Sequence, residues 1–186
     1  MVNFLVALLI TGVSTGAFIG GTYAAEIQAP ALTSTKKIMV VDFELRDVSP
    51  IPNVTQEVER TMLIDSVIRK TLTENGYTLI TACSELKKAS DQGNSYLYDR
   101  PEVAGTIGGE CGADYVLMGQ TWKPSFLFVF PQVQVVDTRK NLTREQLVVV
   151  SRVVQLEAST LDKNVTKAAA IKLAAQIIEK LKTLKQ

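Results

Sequence analysis

Histidine is absent from the 186 residues. Its absence removes Ser-His-Asp and Cys-His nucleophilic catalysis, and with them every zinc, copper or haem site built on imidazole ligands. Cysteine occurs only twice, too few for a thiolate metal centre. Any metal would be a hard cation held by oxygen, and any catalysis would rest on carboxylate, lysine, tyrosine or a lone thiol. The chain is therefore read as non-enzymatic and without a cofactor. A charge excess is also missing: 20 Lys and Arg oppose 19 Asp and Glu, a net charge of +1. So small a footprint excludes nucleic acid as an expected partner. Low-complexity tracts are missing too, and 46% hydrophobic with 21% charged residues is an ordinary globular composition.

Charged side chains are lacking from residues 1–24. An apolar run from Phe4 to Ile10 leads through small residues to Thr22-Tyr23-Ala24. This is the pattern of a secretory signal cleaved after Ala24. A retained anchor is the rival reading. Thr11, Gly12, Ser14 and Gly16 interrupt the run, which leaves a poor span for about 30 Å of hydrocarbon. The expectation is export to the periplasm, with no stable membrane span after cleavage. Residues 25–36 read as a flexible lead-in and 37–186 as a single α/β domain.

Within that domain the pattern predicts strand, helix and strand at Lys37–Leu45, Thr55–Asn75 and Tyr77–Thr81, a unit that favours parallel pairing. Leu63, Ile64, Val67, Ile68 and Leu72 share one side of the helix, and Gly76 suits its stop. A short helix at Ser84–Ser90 and a second from Pro101 to about Cys111 follow. Tyr115–Trp122 is apolar on both faces, as a central strand is. Leu127–Asp137 and Leu147–Glu157 complete an antiparallel meander. The terminal helix, from near Leu161, gathers Ala170, Ile171, Leu173, Ala174, Ile177, Ile178, Leu181 and Leu184 into one arc. The order β-α-β-(α)-α-β-β-β-α describes a five-stranded mixed sheet with helices packed on it, an α/β (α+β sandwich) fold.

Three stretches carry a family likeness: Val41-Asp42-Phe43-Glu44-Leu45 with Asp47, Gly112 to Gly119, and Lys123-Pro124-Ser125 leading through an apolar strand to Asp137-Thr138. The chain resembles a family of small bacterial secreted proteins classed as a domain of unknown function. It is more distantly similar to the amino-terminal domain of TolB and to the curli-secretion lipoprotein. The resemblance implies an envelope protein with an α/β sandwich and no established enzymatic activity. The family supplies no catalytic residues.

Three groups of residues are candidates for function. Asp42 and Glu44 are expected on one face of the first strand with Asp47 in the following loop, a place where open α/β sheets bind ligands. They could hold a small ligand or hard cation, or form a solvated face. Cys83 and Cys111 either bridge, as an oxidising compartment permits, or remain buried thiols apart; the bridge is the expectation carried forward. Phe126, Leu127, Phe128, Val129 and Phe130 form an unbroken apolar run. Because a strand alternates its faces, either the domain covers both or one meets a partner. The helix from Pro101 offers chiefly Val103 and Ile107, so cover over the later strands is expected to be incomplete. That leaves Phe126, Phe128 and Phe130 as the candidate interface to an envelope protein or a second copy. Tyr96, Tyr98 and Trp122 could line a pocket; a packed core is the expectation carried forward.

Overall fold

The computed structural model describes residues 36–52 and 54–184. They lie in the larger of the chain's two units, residues 33–186, and only that unit is considered. The signal, its cleavage after Ala24 and most of the lead-in fall outside the described residues. The elements are β1 (Lys37–Val40), β2 (Glu44–Asp47), α1 (Thr55–Glu74), β3 (Thr78–Thr81), α2 (Ser84–Ser90), α3 (Tyr96–Asp99), α4 (Pro101–Glu110), β4 (Tyr115–Lys123), β5 (Phe128–Asp137), α5 (Arg144–Leu147), β6 (Val148–Val153), β7 (Leu156–Glu157) and α6 (Lys163–Thr183).

One mixed sheet runs in the order β3-β1-β4-β5-β6. β1 is parallel to β3 and β4, while β4, β5 and β6 are successively antiparallel. The α/β reading holds. The sheet has seven strands because two of the five expected strands are interrupted. The first breaks at 41–43 into β1 and β2, both alongside β4. Val40 lies opposite Leu117 and Glu44 opposite Gln120, so four residues on one strand span three on the other. That extra residue is a bulge, and it shifts the alternation of faces. The last expected strand breaks at Val154-Gln155 into β6 and β7. Pro131 of β5 stands at this gap, where Val154 N–H donates to its carbonyl at 3.0 Å.

Strand alternation sorts the interior into two layers. Ile38, Val40, Leu117, Val133 and Val135 meet Ile64, Ile68 and Leu72 of α1 and Leu173, Ile177 and Leu181 of α6. Met39, Val41, Val116, Met118 and Val136 meet Leu86 of α2, Leu97 of α3, Ala104 of α4 and Leu147 of α5. The predicted arc of α6 is buried as expected except at its margins, where Ile171 and Leu184 are exposed. α4 covers its share of the sheet despite having few large side chains. A Cβ on Gly108 would overlap the side chain of Val116, so glycine lets this helix approach closely.

Two helices were not legible in advance. α3 and α5 have four residues each, too short to show a 3.6-residue period. α5 does carry a signature, the capping box of Thr143 and Gln146. The start of α6 falls after Leu161, because Asp162 accepts a hydrogen bond from Asn164 N at 2.7 Å and fixes the N-cap.

Candidate functional site

The layer formed by α2 to α5 stops short of one end of the sheet. There Trp122 of β4 lies opposite Phe130 of β5, with ring centroids 5.4 Å apart. Phe128, two residues earlier on the same face, is 6.4 Å from Phe130. None of the three belongs to either buried core, and Phe128 is 36% exposed. The row continues into the β4–β5 turn, where Phe126 is 70% and Leu127 58% exposed. Val129, pointing the other way, is fully buried. Within β5 the run therefore divides by strand parity, Val129 inward and Phe128 and Phe130 on the other face, while Phe126 and Leu127 are exposed in the turn before it.

A ladder of amides adjoins the aromatic row. Gln120 Nε2 donates to Gln132 Oε1 at 3.1 Å, and Ser95 Oγ donates to Gln120 Oε1 at 2.6 Å. Tyr98 shares a hydrogen bond with Gln134, and burial pushes its phenol up to about 12. Tyr96 and Tyr98 pack against the second core, as expected. Trp122 does not: it stands in the uncovered row, because the helix layer ends at Gln120 and Gln134.

Buried charges support this end from beneath. Lys123 Nζ lies 3.4 Å from Asp47 Oδ2 and 3.8 Å from Glu57 Oε1. Arg60 Nη1 stands 3.2 Å from Glu57 Oε2, without a well-aligned hydrogen bond between them. Arg60 Nη2 donates to the carbonyls of Ala158 and Thr160 at 3.1 and 2.7 Å. Burial lowers the Arg60 value, outweighing the attraction of Glu57. Two acids and two bases thus tie β2, β4, α1 and the β7–α6 connection together directly behind the aromatic turn. Glu57 and Arg60 were missed in the sequence because polar residues in a first helical turn read as solvated. Their i,i+3 spacing was the available signal.

The expected carboxylate face does not form. The bulge between β1 and β2 sends Asp42 toward α1, where its exposed carboxylate accepts from Arg69 Nη2 at 2.9 Å. Glu44 turns to the opposite face and accepts from Ser95 N and from Ser90 Oγ. Asp47 goes to Lys123 and to Ser49, whose Oγ donates at 2.6 Å. Each acid has its own structural partner, and the three do not converge on a shared cavity.

Cys83 and Cys111 are bonded, with Cα atoms 6.4 Å apart. The bridge joins the entry to α2 with the end of α4, and so fastens the helix layer over the second core. Glu85 lies beside the two sulfurs, but those sulfurs are engaged with each other and do not form a metal centre.

Residues 36–160 match the family described as "Protein of unknown function (DUF2380)". The chain belongs to that family. The matched segment contains the aromatic row, the buried charges and the disulfide, and ends before α6 begins. No curated protein matches the sequence. Among solved structures, the PelC dodecamer from Paraburkholderia phytofirmans is 18% identical, with 79% of this chain and 91% of that chain covered and a TM-score of 0.44. Lipoprotein GNA1162 from Neisseria meningitidis is 17% identical, over 76% and 96%, with a TM-score of 0.45. The LpoB C-terminal domain from Salmonella enterica is 22% identical, over 69% and 87%, with a TM-score of 0.42.

Proposed function

We propose that the chain is a non-enzymatic accessory protein of the bacterial envelope, exported to the periplasm, which binds another protein through its uncovered aromatic end. The observation that carries this reading is the row Trp122, Phe130 and Phe128, continued by Phe126 and Leu127, on a sheet face whose helix cover stops at the amide ladder. Large aromatic anchors clustered together are the composition of binding hot spots. The buried ion pairs behind the turn hold the row in place before a partner arrives, which reduces the ordering cost of binding.

Two further observations support export. The charge-free segment before Ala24 has the form of a cleaved signal, and the bridged cysteines suit an oxidising compartment. Among the described residues no helix is long and apolar enough to cross a membrane. Intact-mass measurement of the exported protein tests the processing: a chain beginning at Ala25 is expected, and a mass retaining residues 1–24 contradicts it.

Cross-linking in the envelope of cells that export the protein tests the binding. The unaltered chain should give a defined adduct with one other protein. Phe128→Ser should lose that adduct while melting within about 1 kcal/mol of the parent, as surface substitutions do. Equal adduct yields from the two chains contradict the reading.

A further inference from the structure

Among the described residues, the outer rim of β6 carries unpaired backbone N–H groups. Val154 N–H donates to the Pro131 carbonyl, and the register sets Arg152 opposite Val133 and Val150 opposite Val135. In an antiparallel ladder the backbone groups of successive residues point to alternate sides. Those of Arg152 and Val150 therefore point at β5, and those of Ser151 and Val153 point away from the sheet. Among the described residues β6 pairs with β5 alone, and neither outward N–H has a partner there. Ser151, Arg152 and Val153 are all exposed.

The Ser151 carbonyl is the exception. It accepts from Arg152 Nη1 at 2.8 Å, so a side chain of the strand itself occupies an acceptor that an added strand would use. Arg152 makes no ion pair with any carboxylate among the described residues. A charged side chain on an exposed rim strand discourages indiscriminate pairing, including pairing with a second copy, which would bring two such guanidinium groups together. A strand carrying a carboxylate has the opposite effect. It offers Arg152 a stronger, charge-assisted bond and frees the Ser151 carbonyl for the ladder.

We propose that β6 receives an extended, carboxylate-bearing segment of the partner protein as an added strand, whose acid draws Arg152 away from the Ser151 carbonyl. Main-chain bonding of this kind supplies affinity, and the side chain at one register position supplies selectivity. The site adjoins the aromatic row through Val153, which lies opposite Gln132. The inference rests on the protein-binding reading and specifies the shape and charge of what is bound.

Random twelve-residue peptides displayed on phage, selected against the full exported chain, provide the probe. Enriched peptides should carry Asp or Glu within a strand-forming sequence, and should slow amide exchange at Ser151 and Val153 by at least tenfold. Val153→Pro removes an outward N–H that the folded chain does not use, and Arg152→Glu reverses the charge. Each should weaken binding of the selected peptide at least tenfold; if the proline variant unfolds, the exposed Arg152→Glu change still decides. Selection of basic peptides, or of none, overturns the proposal. So does peptide binding that both variants retain. Binding lost in Phe128→Ser but kept in Arg152→Glu overturns the strand site and leaves the aromatic reading intact. Concentration-dependent protection of both amides without peptide identifies a second copy as the occupant, and also overturns it.

Discussion

The ring of Phe43 fills the space that a side chain at position 119 would need: a Cβ on Gly119 would overlap Cε2, Cζ and Cδ2 of that ring. Phe43 sits in the bulge between β1 and β2, Gly119 in the middle of β4, and the two explain each other. The extra residue in the first strand swings the ring inward against the first core, and glycine in the central strand leaves it room. Gly119→Ala should therefore destabilise the domain by about 1–3 kcal/mol, the usual penalty of overpacking. Thermal melting of Gly119→Ala, Phe43→Ala and the pair measures it. The double variant should be less destabilised than the sum of the singles, whereas simple additivity would break the link between the two residues.

That pairing also marks the limit of what the sequence made legible. The strands, the long helices and the mixed sheet were readable because each has a strong period of two or 3.6 residues. The bulge was not, since one added residue leaves composition unchanged yet puts Asp42 and Glu44 on opposite faces. A site built on their expected convergence dissolved for that reason alone. The aromatic run was conspicuous as a run, and its division into inward Val129 and outward Phe128 followed from parity. Trp122 reads as core in the sequence because nothing local reveals where a helix layer ends.

The buried charges should be costly to break singly. Removing Arg60 leaves Glu57 in a buried place with Lys123 3.8 Å away, and truncating one partner of a buried pair typically costs about 3–5 kcal/mol. Urea unfolding of Arg60→Ala should show a loss of that order. A loss below about 1 kcal/mol would mean that the network contributes little to holding the aromatic turn.

The Cys83–Cys111 bridge spans a sequence separation of 28, which the chain-entropy model equates with about 3.5 kcal/mol. Peptide mapping without reductant should recover the two cysteine peptides joined, and a Cys83→Ser/Cys111→Ser double variant should unfold at lower urea. Two freely alkylated thiols in protein taken from an oxidising compartment would contradict the bridge.

Alkaline stability should follow Tyr98. Burial raises its value to about 12 in the folded chain, against about 10 when unfolded. A raised value means that the folded state holds the proton more tightly. The resulting stability is fully present below pH 10 and is lost as pH climbs from 10 towards 12, by up to about 1.4 kcal/mol per pH unit. Tyr77 and Tyr115, also raised chiefly by burial, act in the same direction. Tyr98→Phe should flatten the decline in urea midpoint across this interval. An unchanged slope would show that Tyr98 is not its source.

The protein-binding claim is tested most directly by a photo-reactive phenylalanine analogue placed at position 128 of the exported chain, with the same analogue at Ile171 as an exposed control on α6. Irradiation in intact cells should join position 128 to one specific envelope protein and leave position 171 without that adduct. No adduct at 128, or the same adducts at both positions, would contradict an aromatic docking end.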